Sequence, residues 1–362
     1  MKKVLFLTGY PAPYRVLFFD ELGKSVDLTV VFCDRKEDQT HRSQNWFIES
    51  QGHFQAVQLE KGRFHTRGGY LRPDVLPWLK KSWDAIVLCG YSSPTVMLAM
   101  GYLRLRGIPF YLEVDGGLIR PDSAQALWLK RRLVGSAQGW LATSRATTEY
   151  LVHYGARREG VEVYPFTSMK AADMPKTIPT PEEKRALRQQ LGLTGEHVVL
   201  SIGQFIHRKG FDVLLKAAEH LKAGTEIYIV GGEPTEEYRA MAQGLPQVHF
   251  VGFLKKEALA QYYQAADLFV LPTREDIWGL VINEAMAYGL PVVTTDRCVA
   301  GLELVEDGVN GYLVPVEDWD ALARRMNEAL AGDCQAMGLA SWNRIQPYTI
   351  ENMAKAHLDI FT

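Results

Sequence analysis

Cysteine is scarce in this chain: 362 residues hold four, Cys33, Cys89, Cys298 and Cys334. They stand far apart, without a CxxC pair or a histidine at ligand spacing, which fits a reducing cytoplasm better than a disulfide scaffold or a zinc site. Each reads as a buried apolar residue. A surplus of one charge is missing as well. Lysine and arginine number 40 against 42 for aspartate and glutamate, a net charge of −2 that argues against nucleic acid as a partner. No run of about eighteen apolar residues goes uninterrupted by charge, so no membrane span is expected. The opening MKKVLFLTGYPAPYR carries an apolar run of about five residues before a Gly/Pro turn and reads as a first β-strand rather than a signal peptide. Internal repeats and low-complexity tracts are absent. So is a GxGxxG turn: neither LTGYPAP nor IVGGEP supplies one, which leaves a dinucleotide oxidoreductase without its phosphate-binding turn.

What the chain has is length and rhythm. Its 362 residues are many for one domain and enough for two, each with its own core. In the first half, apolar runs (KVLFLTG, DLTVVFC, AIVLCG, PFYLEVDGG, GWLATS) alternate with amphipathic segments. The second half restarts the pattern with EHVVLSIGQF, EIYIVGG, VHFVGF, ADLFVLPT, LPVVTTD and GYLVP. Such alternation is the mark of parallel sheets covered by helices. Prolines 165, 175, 179 and 181 interrupt it, and TPEEKR after them reads as a helix start. The expected fold is α/β, with two Rossmann-like domains facing across a cleft. The first covers residues 1–165, a linker covers 166–182, the second domain covers 183–345, and a last helix over 346–362 returns to the first domain.

In open parallel sheets, ligands bind beyond the carboxyl ends of the strands, so the residues after each apolar run are the candidates. After ADLFVLPT comes a turn with Glu275 and Asp276, then Trp278 and a helix starting at Gly279 or Leu280, with Val281 in its first turn and Glu284 one turn on. The free amides of that helix start suit a phosphate, Gly279 permits close approach, and Glu284 is placed to accept sugar hydroxyls. Taken alone, this is also an ordinary helix with an acidic approach. The turn in SIGQFIHRKGF adds Gln204, His207, Arg208, Lys209 and Gly210, with a mobile ammonium at Lys209 and a planar fork of donors at Arg208. IVGGEP adds Gly231 and Gly232, and VHFVGF adds Phe253. Phosphate-compatible turns at three strand ends of one domain point to a nucleoside diphosphate.

These residues carry a resemblance. SIGQFIHRKGFDVLL, IVGGEP, the stretch from VHFVGF through LPTREDIWGLVINEAMAYGLPVVTTD, and ELVEDGVNGYLV, over roughly residues 198–320, resemble the donor domain of retaining GT-B glycosyltransferases of family four, the group 1 type. The resemblance implies a GT-B fold, a nucleoside-diphosphate sugar as donor substrate, and transfer with retention that needs no metal and no other cofactor. It implies that Lys209 and Arg208 steady the diphosphate, that Glu284 holds the ribose, and that Asp276, with Glu275, touches the donor sugar. Asp276 and Gln204 depart from the family pattern, which has Glu and often Arg at those places. The partners implied are a nucleotide sugar and a sugar or lipid-linked acceptor, in surface polysaccharide or glycoconjugate synthesis, within the cytoplasm or at the inner face of the plasma membrane.

The first domain resembles the family mainly in architecture. Its strand ends offer Gly9, Tyr14 and Arg15, with Arg15 placed to meet a phosphate, then Tyr91 and Ser92, and Asp115 where many relatives carry a histidine near the reacting sugar. Asp115 is the acceptor-side choice. The stretch ALWLKRRL joins Trp128 and Leu129 to Lys130, Arg131 and Arg132, and reads either as a face for an anionic membrane or as a helix with its Trp and Leu turned to the core. Rival readings are a metal-holding acid pair at Glu113 and Asp115 as in GT-A enzymes, a nucleotide-sugar epimerase or hydrolase, and a nucleotide-sugar-binding protein without catalysis.

Overall fold

The computed structural model describes residues 1–34, 49–60, 62, 64–66 and 69–361. Two units divide the chain, one made of Met1–Ala171 with Tyr348–Thr362 and the other of Ala172–Pro347. In the first, β1 (Lys3–Thr8), β2 (Asp27–Phe32) and β3 (Gln55–Gln58) are followed by a small antiparallel pair, β4 (Phe64–Thr66) and β5 (Gly69–Leu71). Then come β6 (Ala85–Cys89), β7 (Tyr111–Val114), β8 (Gly139–Ala142) and β9 (Val161–Val163). Seven of these form a parallel sheet in the order β3-β2-β1-β6-β7-β8-β9. The helices are α1 (Pro13–Leu22), α2 (Leu76–Leu79), α3 (Pro94–Leu105), α4 (Ala124–Val134) and α5 (Arg145–His153).

The second unit starts with α6 (Pro181–Leu191), built as its sequence dictates: Thr180 and Glu183 form a reciprocal capping box, Pro181 opens the first turn, and Gly192 ends the helix in the left-handed region. There follow β10 (His197–Ile202), α7 (Phe211–Ala218), β11 (Thr225–Val230), α8 (Glu236–Met241), β12 (Val248–Val251), α9 (Lys256–Ala265), β13 (Leu268–Leu271), α10 (Leu280–Ala287), β14 (Val292–Thr295), α11 (Val299–Leu304), β15 (Gly311–Val314), α12 (Trp319–Ala331) and α13 (Cys334–Ile345). The strands run in the order β12-β11-β10-β13-β14-β15, all parallel. Counted within the unit this is 3-2-1-4-5-6, the Rossmann order, whose switch point lies between β10 and β13. In the first unit the corresponding point lies between β1 and β6.

Strands covered on both faces read as unbroken apolar runs. In β1, Leu5 and Leu7 face one side, in a core with Ala99, Met100 and Leu103 of α3. Alternation turns Phe6 to the other side, against Phe18 and Phe19 of α1 at ring distances of 5.9 and 5.2 Å. The last helix, α14 (Ile350–Phe361), returns to the first unit and completes that second face: Phe361 lies 6.3 Å from Phe6, and His357 lies 4.6 Å from Phe18. Phe18 is fully buried among these rings. Phe18→Ala is therefore expected to cost about 3–5 kcal/mol, read as an earlier urea transition of the first unit; a loss below about 1 kcal/mol would contradict this packing.

Candidate active site

At the switch point of the second unit, the turns after β10 and β13 meet backbone to backbone. Gly210 has φ +69°, and a Cβ there would lie 2.0 Å from the Pro272 carbonyl oxygen. The Arg274 amide donates to the Arg208 carbonyl at 2.8 Å, and the Thr273 hydroxyl lies 2.9 and 3.1 Å from the carbonyls of Arg208 and Glu275. The Arg274 guanidinium donates to the His207 carbonyl at 2.7 Å and to both carboxylate oxygens of Asp212 at 2.8 and 2.6 Å, and pairs with Glu317. The turn after β11 closes in as well, because a Cβ on Gly231 would stand 2.0 Å from the Gly203 carbonyl.

This arrangement brings together side chains from separate strand ends. Lys209 Nζ lies 2.5 Å from Asp276 Oδ2, and the Arg208 guanidinium lies 3.3 Å from Asp276 Oδ1 while donating to the Glu275 carbonyl at 2.8 Å. The Asp276 backbone is fixed too: its amide donates to Arg297 at 2.9 Å and its carbonyl accepts from Val299 at 3.1 Å. Gly279, at φ +106°, precedes α10, and no side chain caps that helix. The Ile282 amide turns back to the Gly279 carbonyl at 2.8 Å, while the amides of Leu280 and Val281, at the positive end of the dipole, come too early in the helix for an intrahelical acceptor. A Cβ on Gly279 would come within 2.8 Å of Cys298 Sγ. That thiol is buried and pushed up to about 12 by desolvation, with Asp276 adding to the effect. It is a packing residue.

Glu284, one turn into α10, accepts a 2.9 Å hydrogen bond from the hydroxyl of Tyr263 on α9. Burial raises the Tyr263 phenol far above its usual range, and the Glu284 charge adds to this, so Tyr263 stays a donor and holds the carboxylate in one orientation. Tyr288 stacks on Tyr263 at 5.3 Å. Gln204, Gly232 and Phe253 are exposed at the carboxyl ends of β10, β11 and β12, Phe253 by 68%. The Trp278 side chain is 3% exposed, with its indole N–H donating to Asn283 at 2.7 Å; its part in the site is to hold the turn.

In the first unit a second cluster forms beyond β7. Arg15, expected as a loop residue open to phosphate, instead lies inside α1 with a side chain 3% exposed, and its guanidinium forks between Glu113 at 2.7 Å and Asp115. A cation so buried and doubly paired is not open to an incoming anion. Asp115 also accepts from the Tyr14 hydroxyl at 3.0 Å and is 28% exposed. Burial raises the Asp115 carboxyl more than Arg15 lowers it. Burial acts the same way on Glu113, but there Arg15, His357 and Tyr164 outweigh it and hold the acid well below the usual range. Glu113 accepts from Tyr164 at 2.6 Å and from the Cys89 thiol at 3.1 Å and is fully buried, which removes the metal-holding acid pair. Gly9 is half-buried beside Asp34, and Tyr91 shares a hydrogen bond with Tyr150. Sequence reasoning missed Tyr263, the Arg274 clamp, Tyr164 and His357. The one available signal was Glu113, an acid inside an apolar strand.

Two parallel-sheet Rossmann-like domains, each with polar turns at its switch point, define the GT-B class of fold. Residues 196–332, within the second unit, match the model of the family described as glycosyl transferases group 1. A D-inositol 3-phosphate glycosyltransferase of Xylanimonas cellulosilytica is 32% identical over 249 residues, covering 64% of this chain and 58% of that protein. A GDP-mannose-dependent alpha-(1-6)-phosphatidylinositol monomannoside mannosyltransferase of Mycolicibacterium smegmatis is 33% identical over 184 residues, 46% of this chain and 48% of that one. The chain thus spans about half the length of the curated relatives it matches. Among solved structures, the sucrose-phosphate synthase of Thermosynechococcus elongatus aligns with TM-score 0.74 and 21% identity, covering 99% of this chain and 98% of its own. Anabaena HepE, in complex with UDP, aligns with TM-score 0.76 and 20% identity over 99% of both chains.

The contact between turns gives a direct test. Gly210→Ala is expected to destabilise the second unit by about 3 kcal/mol or more, whereas Gly232→Ala, with nothing within 4 Å of its added methyl, is expected to stay within about 0.5 kcal/mol. Chemical denaturation of both variants checks the pair; equal effects would mean that the turns do not abut as described.

Proposed function

We propose that this protein is a retaining glycosyltransferase, moving a hexosyl group from a nucleoside-diphosphate sugar to a hydroxyl of a glycan, glycolipid or other acceptor in the building of a surface polysaccharide or glycoconjugate. The observation that carries this reading is the meeting of Lys209 and Arg208 at Asp276, in the turn that leads into the uncapped start of α10. The group 1 match, the named activities of the relatives and the UDP bound to HepE support it.

Transfer leaves a diphosphate with added negative charge while the anomeric carbon becomes cationic. Lys209, Arg208 and the α10 amides meet the first charge where it develops, which is where fixed donors accelerate most. The Lys209–Asp276 pair of the free protein must then be shared with the diphosphate. Asp276, with Glu275, lies at the sugar end, and Glu284, held by Tyr263, accepts from the ribose hydroxyls. Asp115 addresses the acceptor hydroxyl. The leaving phosphate takes the acceptor proton during attack on the same face, which retains configuration.

Membrane docking belongs to this reading. Trp128 and Leu129 of α4 are 60% and 42% exposed, and Leu105 at the end of α3 is 89% exposed. A groove of about 350 Å³ between these helices is lined by Trp128, Leu129, Arg104 and Arg132, with Arg132 over the Trp128 ring at 5.2 Å. The core-facing expectation for this Trp and Leu is corrected. Lys130 is excluded from the face by its 2.8 Å pair with Asp122.

Three outcomes are expected. Among UDP-, GDP- and ADP-sugars, one should raise the melting temperature in a concentration-dependent way; no response to any of them would remove the donor assignment. Lys209→Ala should lower turnover by about 100-fold and Glu284→Ala should weaken donor binding, with near-normal transfer by both excluding this site. Reversing Arg104, Arg131 and Arg132 should abolish sedimentation with phosphatidylglycerol vesicles, and unchanged sedimentation would remove the membrane face.

A further inference from the structure

His357, at the middle of α14, is fully buried. Its Nδ1 lies 2.8 Å from the Met353 carbonyl one turn earlier, an acceptor, so Nδ1 carries a hydrogen. Its Nε2 is buried without a hydrogen-bond partner and stands 3.7 Å from Glu113 Oε1. A neutral ring with its hydrogen on Nδ1 would aim a lone pair at a carboxylate. The aromatic rings of Phe18 and Tyr164 flank it, both at 4.6 Å.

The charges of the cluster lead to the same place. The ionisable groups packed around His357 and Glu113 are Arg15 and Tyr14 from α1, Cys89 from β6, Glu113 and Asp115 at β7, and Tyr164 after β9. Tyr14, Tyr164 and Cys89 are donors whose burial keeps them protonated. That leaves one guanidinium against two carboxylates, a buried excess of negative charge that low-dielectric surroundings penalise. One more proton restores neutrality, and the Nε2 of His357, buried 3.7 Å from Glu113 without a hydrogen-bond partner, is a place for it.

We propose that His357 carries that proton and is the inner anchor of a relay, His357–Glu113–Arg15–Asp115, by which the C-terminal helix holds the acceptor-side carboxylate ionised and in place. The inference rests on the reading of Asp115 given above, and makes His357 and Glu113 positioning residues. Glu113 fixes one arm of the Arg15 fork, the other arm holds Asp115, and Tyr14 fixes the second Asp115 oxygen. Only Asp115 among the four charged members reaches solvent to any extent, with 28% of its side chain exposed against 3% or less for Arg15, Glu113 and His357. The relay therefore keeps its compensating charge inside and turns one carboxylate outward. A protonated Asp115 would donate to an acceptor hydroxyl, whereas the ionised form accepts from a non-attacking hydroxyl of the acceptor and so orients it.

The test uses the full-length protein and needs no substrate. Long-range proton–nitrogen NMR at pH 7, with His357→Phe for assignment, is expected to show both ring nitrogens of His357 protonated; a bare Nε2 overturns the proposal. Carbon-13 titration of Asp115 supplies the second readout. His357→Phe keeps the ring packing and removes the charge, and should move the Asp115 midpoint up by about one pH unit, a tenfold change. Glu113→Gln, which removes a negative neighbour, should move it down by a similar amount. If His357→Phe does not fold, the Glu113→Gln shift and the loss of the Nε2 proton in that variant decide alone. Asp115 midpoints that agree within about 0.2 units across the folded proteins overturn the relay. Unshifted midpoints in a protein that still responds to nucleotide sugars would sink this inference and leave the proposed function standing; the reverse result would separate them the other way.

Discussion

The site in the second unit depends on one close contact, the Pro272 carbonyl in the space where Gly210 lacks a side chain. The absent side chain leaves room for the turns after β10 and β13 to share hydrogen bonds, beside which Lys209 lies 2.5 Å from Asp276. Any Cβ at this position, besides its strained φ, would force the turns apart and separate the charges they carry. The Arg274 clamp then makes the contact rigid, because a guanidinium bound at several points to Asp212, Glu317 and the His207 carbonyl cannot follow one turn without the other. The charged groups of the two turns are therefore held in place by the fold itself, which is the condition under which fixed charges act most strongly on a reaction.

Both units pair cations with acids near the carboxyl ends of their strands, but solvent makes the two clusters unequal. Arg15 is sealed in, forked between two carboxylates, and removing it from them would strand buried charge. Its work is done through Asp115. Arg208, with 45% of its side chain exposed, and Lys209, at the edge of solvent with 13%, pair with a single shared carboxylate and can be redirected to a stronger anion. The difference lies in burial and in the ratio of acids to bases, since the residue types in the two clusters are nearly the same.

Much of the fold was legible because parallel strands buried on both faces leave apolar runs that few other elements produce, as in KVLFLTG and ADLFVLPT. The start of α6 was legible for a local reason, since Thr180, Pro181 and Glu183 cap a helix without help from the rest of the chain. Lys209, Arg208, Asp276 and Glu284 could be proposed from the sequence because they lie in the turns after β10 and β13 or in the helix that follows. Arg15 was misplaced because a strand-end arginine looks the same in sequence whether it meets solvent or two acids brought from β7. Tyr263 and His357 gave no signal, since a tyrosine or histidine on an amphipathic helix is ordinarily a packing residue and its partner lies in another element.

The order of residues was enough to decide the alternation of strand and helix, the positions where the backbone must turn left-handed, and which polar groups stand at strand ends, because these are set by short-range sterics, capping and periodicity. Tertiary structure alone decided which of those groups meet. That Lys209 pairs with Asp276, that Tyr263 holds Glu284, and that a histidine from the last helix faces a glutamate in β7 follow from strand order and helix docking. Strand order and docking are settled by burying apolar area across the whole unit, which no local stretch of sequence contains.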